Sequence, residues 1–154
     1  MRLLFHHYRD VEAIYEAAFE CLNRRYWDRV VDIAPDLLVG DRVQRTVEER
    51  ARLFEAVAPL RRAASSVPSR RTSIADAVAD GDRRLRACLE RTFGPELASA
   101  GKARPGRLHA MELVTSCEAW DRLRRVQGLS ALAAGRVMAT CLEALMISDG
   151  PIQR

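Results

Sequence analysis

The sequence is poor in lysine, histidine and cysteine. Only one of its 25 basic residues, Lys102, is a lysine, and the others are arginines. Because the arginines are spread evenly along the chain, a biased genome composition explains them better than a phosphate-binding patch. The net charge of +4 permits contact with an anionic partner but is too small to indicate one.

The three histidines and four cysteines do not have the spacing of common metal or redox sites. No C-x-x-C pair occurs, so neither a zinc knuckle nor a dithiol redox motif is indicated. His109 and Glu112 have the i, i+3 spacing of half a helical metal site, but a second such pair is missing. We therefore predict no metal and no cofactor. The cysteines are predicted to be buried free thiols: Cys21, Cys88, Cys117 and Cys141.

Long apolar runs and strand patterns are also missing. No run of about 18 apolar residues occurs, so we predict no membrane span, and a cytoplasmic location is the default expectation. No segment alternates with the period of a strand, and there is no Gly-rich phosphate loop, nucleophile elbow or H-E-x-x-H motif. The sequence therefore predicts an all-α protein that is not an enzyme.

Apolar residues at steps of three and four predict a series of helices along almost the whole chain. The first helix begins after Asp10 and is stopped by Pro35. The second begins at Asp41 and contains Pro59, which either kinks or divides it. A third follows from Ser73 to Gly94. The stretch 99–106 is rich in Gly, Ser and Pro and has the composition of a linker.

The last two predicted helices, over residues 107–126 and 131–146, organise the chain. Gly128 suits the left-handed residue that closes a helix, and Ser130 can cap the next one. In the final helix the only charged residues are Arg136 and Glu143, which lie seven positions apart and therefore on one line of the helix.

A helix that is apolar almost all round has to be covered on two sides, and 154 residues provide few helices for this purpose. We predict that a second copy covers the final helix in a four-helix-bundle homodimer. The alternative is a single core helix buried within a monomer. The predicted interface residues are Val114, Leu132, Ala133, Val137, Met138, Cys141 and Leu145.

Several stretches, in this order, resemble the TetR family of bacterial transcriptional regulators. Residues 4–14 (LFHHYRDVEAI) resemble the end of that family's recognition helix and the start of its next helix. The stretches 55–62 (EAVAPLRR) and 85–93 (LRACLERTF) also have the family's pattern. The stretches that resemble its dimerising helix pair are 118–124 (EAWDRLR), 128–130 (GLS) and 142–145 (LEAL). Their order and spacing carry the resemblance, which covers nearly the whole chain.

The resemblance implies a ligand-binding and dimerisation domain over residues 10–148, with a remnant of a recognition helix in 1–9 and a tail in 149–154. Family members have two further helices before the position that matches Phe5, so the DNA-binding domain is expected to be incomplete. DNA is then a partner only where a complete helix-turn-helix is present. His7 and Tyr8 match positions that often contact the DNA backbone, and such contacts carry no sequence information. Val11 stands where many members have a basic residue, which weakens this interpretation.

The implied function is transcriptional regulation, with DNA binding controlled by a small apolar or amphipathic effector. Helical facing suggests a mostly apolar pocket, although plain core packing is the alternative for each member. The pocket residues are Tyr26, Phe54, Leu85, Leu89, Leu113, Cys117 and Trp120. The second functional hypothesis is a stand-alone helical protein that dimerises without binding DNA, or that forms mixed dimers with full-length relatives.

Overall fold

The computed structural model describes residues 33–65 and 72–147, together with six residues between 14 and 24. Every regular element in this part of the chain is helical, in agreement with the predicted all-α class. The α-helices are α1 (Val39–Ser65), α2 (Thr72–Thr92), α3 (Gly94–Ser99), α4 (Arg104–Val114), α5 (Cys117–Asp121) and α6 (Ala131–Ile147). Within these ranges, no helix combines the length and the apolar character needed to cross a bilayer.

The core lies between α1 and a layer formed by α4, α5 and α6. The long helix α1 packs against α6 and α5, while α4 packs against α2, α3 and α6. The buried stripe of α1 contains Val43, Val47 and Phe54, at the spacing of one helix face. On α6 the buried residues are Ala134, Met138 and Leu142, each four positions from the next. Ridges at this spacing on two helices interdigitate and exclude water from the contact.

The helix predicted over residues 107–126 is divided in two, so this part of the prediction is wrong. At the end of α4 the Thr115 hydroxyl donates to the Met111 carbonyl oxygen at 2.7 Å. The Ser116 side chain then caps α5 by accepting a hydrogen bond from the Ala119 amide at 3.1 Å. After α5 the chain continues as a π-helical turn over Arg122–Val126. The change of direction at the Thr-Ser pair creates the corner between α4 and α5.

Other boundaries follow from local backbone chemistry. The α1 helix begins two residues before Asp41 and continues through Pro59 as one helix. The stretch 99–106 is not a linker, because it forms a 3₁₀ turn and the first turn of α4. Gly128 adopts a φ of +68°, and Ser130 accepts a hydrogen bond from the Ala133 amide at 3.1 Å. Both predictions for the junction before α6 are confirmed.

A buried arginine joins α1 to the junction of α2 and α3. Arg42 donates from Nη2 and Nη1 to the two carboxylate oxygens of Glu96, at 2.5 and 2.8 Å. It also donates to the carbonyl oxygens of Thr92, at 2.8 Å, and Leu37, at 3.0 Å, and its guanidinium lies 5.6 Å from the centroid of the Phe93 ring. The hydrogen bonds from Arg42 hold the pKa of the Glu96 carboxyl below its ordinary value. This cluster fixes the position of α3 on α1.

We expect Glu96→Gln to lower the free energy of unfolding by about 3 kcal/mol, because Arg42 stays buried without its carboxylate. Urea unfolding followed by circular dichroism measures the loss. The matched control is Arg52→Gln, which breaks an exposed ion pair with Glu49 and should cost less than about 1 kcal/mol. Equal losses in the two variants would contradict the structural role of the cluster.

The same variant tests the linkage to pH. Because the pKa of Glu96 is lower in the folded state, its stabilisation is complete above the unfolded-state pKa and is lost as pH falls through the folded-state pKa. Stability of the wild type should therefore fall more steeply with acid than stability of Glu96→Gln. If the stability of the wild type and that of Glu96→Gln fell equally with acid, the charged form of Glu96 would not contribute to stability.

Candidate functional site

A cleft of about 370 Å³ lies between α2 and the corner formed by α4 and α5, with α1 at its back. This volume falls in the range of about 300–1,000 Å³ that is typical of small-molecule sites. The break at Thr115 and Ser116 keeps α4 and α5 from continuing straight along α2, so the space stays open. The lining residues are Arg50, Asp82, Leu85, Arg86, Leu89, Glu112, Leu113, Thr115, Ser116, Cys117 and Glu118.

The floor of the cleft is apolar. Leu85 and Leu89 come from successive turns of α2, and Cys117 comes from the first turn of α5; all three are buried. Burial raises the pKa of the Cys117 thiol to about 11, so this group stays neutral and acts as a small apolar side chain. Leu113 is 70% exposed at the lip. These residues give the cleft an apolar floor and an apolar side chain at its lip.

A buried arginine lies at the back of the cleft. Arg50 reaches it from α1, is only 4% exposed, and donates from Nη2 to the Leu85 carbonyl oxygen at 2.7 Å. This contact joins α1 to the backbone of α2 at the back of the cleft.

Arginines also bridge the rim. Arg61 on α1 donates to Asp82 on α2, at 3.3 Å, and to Glu118 on α5, at 2.8 Å. At the other end of the cleft, Arg86 on α2 makes a close ion pair with Glu112 on α4. Each of the three rim carboxylates is therefore paired with an arginine from another helix. These bridges connect the two walls of the cleft.

A second hollow, of about 160 Å³, lies on the other side of α5, beside Pro59. Here the Glu55 carboxylate accepts hydrogen bonds from Trp120 Nε1, at 2.9 Å, and from Arg124 Nε, at 2.7 Å. Arg124 in turn donates to the Leu129 carbonyl oxygen at 2.5 Å. Hydrogen bonding from Arg124 is the main cause that lowers the pKa of Glu55. This chain of contacts fixes the loop before α6 relative to α1.

The structure brings four of the seven predicted pocket residues together. Leu85, Leu89, Leu113 and Cys117 line the larger cleft. Phe54 and Trp120 are buried and line the smaller hollow instead, and Tyr26 lies outside the described residues, as do His7 and Tyr8. The charged members of the lining were not predicted. For Arg50 a signal existed, since it stands seven positions after Val43 on the buried side of α1.

The final helix has one buried and one exposed face. Leu132 is 68% and Val137 40% exposed, and Cys141 is also exposed. Met138 is 1% exposed and lies in the core of its own chain, so it offers no surface to a partner. The remaining predicted interface residues are half-buried: Val114, Ala133 and Leu145. Of the predicted interface residues on α6, Leu132, Val137 and Cys141 are therefore the exposed ones.

The structure corrects the prediction made for the thiols. Cys117 is buried, but Cys21 and Cys141 are exposed and Cys88 is half-buried, so the prediction of four buried thiols is wrong. The apolar neighbours of Cys21 and Cys141 in the sequence indicated a buried helix face, but both side chains are exposed. Among the described residues, no group of three or more His, Cys, Asp and Glu side chains could hold a metal ion. The Nδ1 atom of His109 lies 3.4 Å from the Glu112 carboxylate that Arg86 also contacts.

Comparisons of the chain with protein-family models, with curated proteins and with solved structures gave no match.

Alkylation rates test the apolar floor of the cleft. At about pH 8, Cys117 should react with iodoacetamide at least about 100-fold more slowly than the exposed Cys21, because its raised pKa leaves little thiolate and its side chain is buried. Mass spectrometry of the labelled peptides gives both rates. In urea the two rates should converge, which serves as the control. Similar rates in the folded protein would mean that the floor is open to solvent.

Proposed function

We propose that this chain is the ligand-sensing and dimerisation part of a TetR-like transcriptional regulator, in which a small molecule controls DNA binding. The observation that carries the proposal is the two-faced helix α6. Its inner face is buried against α1, while Leu132 and Val137 are exposed on the rest of its surface. Isolated exposed apolar residues are normal, but a helix with an apolar outer side is typical of an interface. The order of the sequence motifs supports the same assignment.

Charges on α6 favour a second copy of this chain as the partner. Arg136 and Glu143 are both exposed, and they lie opposite the buried line of Ala134, Met138 and Leu142. In an isologous dimer, residue i of one subunit meets residue j of the other, and j meets i. Two antiparallel α6 helices that cross near Thr140 would place each Arg136 beside the Glu143 of the second copy. The outer face is therefore complementary to itself.

The helix α4 couples the cleft to this face. Its residues Glu112 and Leu113 line the cleft, whereas Leu108 and Met111 are buried in the core, and the helix packs against both α2 and α6. A ligand that changes the distance between α2 and α4 would thus displace α4 against α6. Because protein interiors are close-packed, such a displacement is transmitted to the next helix. This is how ligand binding would alter the geometry of a dimer.

We expect Val137→Glu to convert the dimer to a monomer, because it would bury two unpaired carboxylates in the interface. The dissociation constant should rise at least about 100-fold, as measured by analytical ultracentrifugation. The matched control is Leu38→Glu, which changes an exposed leucine outside α6 and should stay dimeric. Alkylation of Cys141 should be faster in Val137→Glu than in the wild type. A wild type that sediments as a single protomer well above micromolar concentration would refute the proposal.

Charge exchange tests the antiparallel arrangement. Arg136→Glu and Glu143→Arg, taken singly, should each weaken the dimer at least about tenfold through like-charge contacts. The double variant restores both pairs and should return the dissociation constant to within about threefold of the wild type. The two-fold pairing proposed for α6 would be excluded if the double variant did not restore the dimer although Val137→Glu dissociates the wild-type dimer.

The sensing role has its own test. A thermal-shift screen of small organic molecules should yield compounds that stabilise the protein, and these should lose binding when Leu113 is replaced by Asn. Amide hydrogen exchange in α6 should change when such a compound binds. A stable dimer for which no compound binds in the cleft would favour a stand-alone dimerising protein instead.

A further inference from the structure

The carboxylates of the cleft are already paired within the protein. Asp82 and Glu118 both accept hydrogen bonds from Arg61, at 3.3 and 2.8 Å, and Glu112 makes a close ion pair with Arg86. These are the three carboxylates of the lining, and each has an arginine partner from another helix. An ammonium group in the cleft would have to compete with these arginines for a carboxylate. The ion pairs therefore weaken the attraction of the cleft for a cation.

The other polar side chains of the lining are engaged as well. Arg50 is not free, and its contacts include the hydrogen bond from Nη2 to the Leu85 carbonyl oxygen at 2.7 Å. The hydroxyl groups of Thr115 and Ser116 donate to carbonyl oxygens of α4, at 2.7 and 2.9 Å. A carboxylate in the cleft would therefore give up its hydration and compete with partners that are already in place.

The apolar part of the cleft offers contacts that need no polar partner. Leu85 and Leu89 form the floor with Cys117, whose thiol stays neutral, and Leu113 is a large apolar side chain that is 70% exposed at the lip. An apolar ligand body gains free energy by covering such surface. A charged ligand would gain the same contacts but lose the hydration of its charge. The balance favours an uncharged ligand over an ion of the same shape.

We propose that the cleft selects a small uncharged molecule with an alkyl or aromatic body, and that it discriminates against carboxylates and ammonium ions of the same size. The apolar body would lie along Leu85 and Leu89 and cover Leu113 at the lip. This assignment rests on the ligand-sensing role proposed above and narrows its ligand class. The volume of about 370 Å³ admits a medium-length alkyl chain or one to two rings.

Three ligands of equal chain length separate the charge classes. At about pH 7, where octanoate and octylammonium are ionised, we expect octanol to bind at least about tenfold more tightly than either ion, because it gives up less hydration on entry. Isothermal titration calorimetry of the full chain gives the dissociation constants. From hexanol to octanol, each added methylene should improve affinity about fourfold as it enters the apolar part of the cleft.

A substitution at the lip places the ligand. Leu113→Asn should weaken octanol about tenfold, because it removes the exposed apolar side chain that the ligand covers. The matched control is Leu38→Asn, the same change at a leucine that is 78% exposed and does not line the cleft. This control should keep the affinity within about twofold of the wild type.

Releasing one carboxylate tests the role of the ion pairs. Arg86→Gln removes the arginine partner of Glu112 and should improve octylammonium binding at least about fivefold, while octanol binding changes by less than about threefold. The matched control is Arg83→Gln on the same helix, which breaks an exposed ion pair with Asp80 and should leave the preference for octanol unchanged. An octylammonium affinity that stays as low in Arg86→Gln as in the wild type would contradict the proposed basis of the selectivity.

The outcomes separate this inference from the proposed function. If octanoate or octylammonium binds as tightly as octanol, and Leu113→Asn weakens that binding, the ligand class is wrong and the sensing role stands. An octanol affinity that Leu113→Asn leaves unchanged would place the ligand elsewhere and overturn the assignment. If none of the three ligands binds, the compounds from the thermal-shift screen decide. Uncharged compounds that depend on Leu113 would support the assignment, and ionised ones would overturn it. If the screen also yields none, both the assignment and the sensing role fail.

Discussion

The fold depends on α1 meeting its neighbours through two different kinds of contact. Apolar residues of α1 pack on α6 and α5, and arginines of the same helix reach α2, α3 and α5. Arg42 binds the junction of α2 and α3, Arg50 binds the α2 backbone, and Arg61 reaches both α2 and α5. Burying these charges costs free energy unless each finds a partner, so the arginines determine where α2 can lie.

The cleft is a consequence of this arrangement. Arginine side chains are long, and their guanidinium groups contact α2 while its backbone stays apart from α1. Directly beside this space, the capped break at Ser116 turns the chain away from α2. The remaining volume is closed at the back by Arg50 and bridged at both ends by ion pairs. The shape of the cleft therefore depends on polar contacts, while the contact between α1 and α6 depends on apolar packing.

Apolar periodicity predicted the parts of the fold that depend on apolar contacts. The helical class, the buried stripe of α1, the left-handed Gly128 and the cap at Ser130 could all be read from residue type and spacing. The break at Thr115 and Ser116 could not, because the apolar pattern continues across it and the cap of α5 depends on the single hydroxyl of Ser116. The charged residues of the cleft were only partly predictable. Arg50 stands in line with the buried residues of α1, which is a signal, but the rim arginines look like any other in a chain with 25 basic residues.

The near absence of lysine has a consequence for behaviour in alkaline solution. Nearly all cross-helix ion pairs in the described residues use a guanidinium, which keeps its proton at any pH that a protein survives. Lysine pairs at the same positions would lose their charge as the ammonium groups deprotonate. The bridges that connect α1 to α2 and α5 therefore keep their cationic partner in alkaline solution.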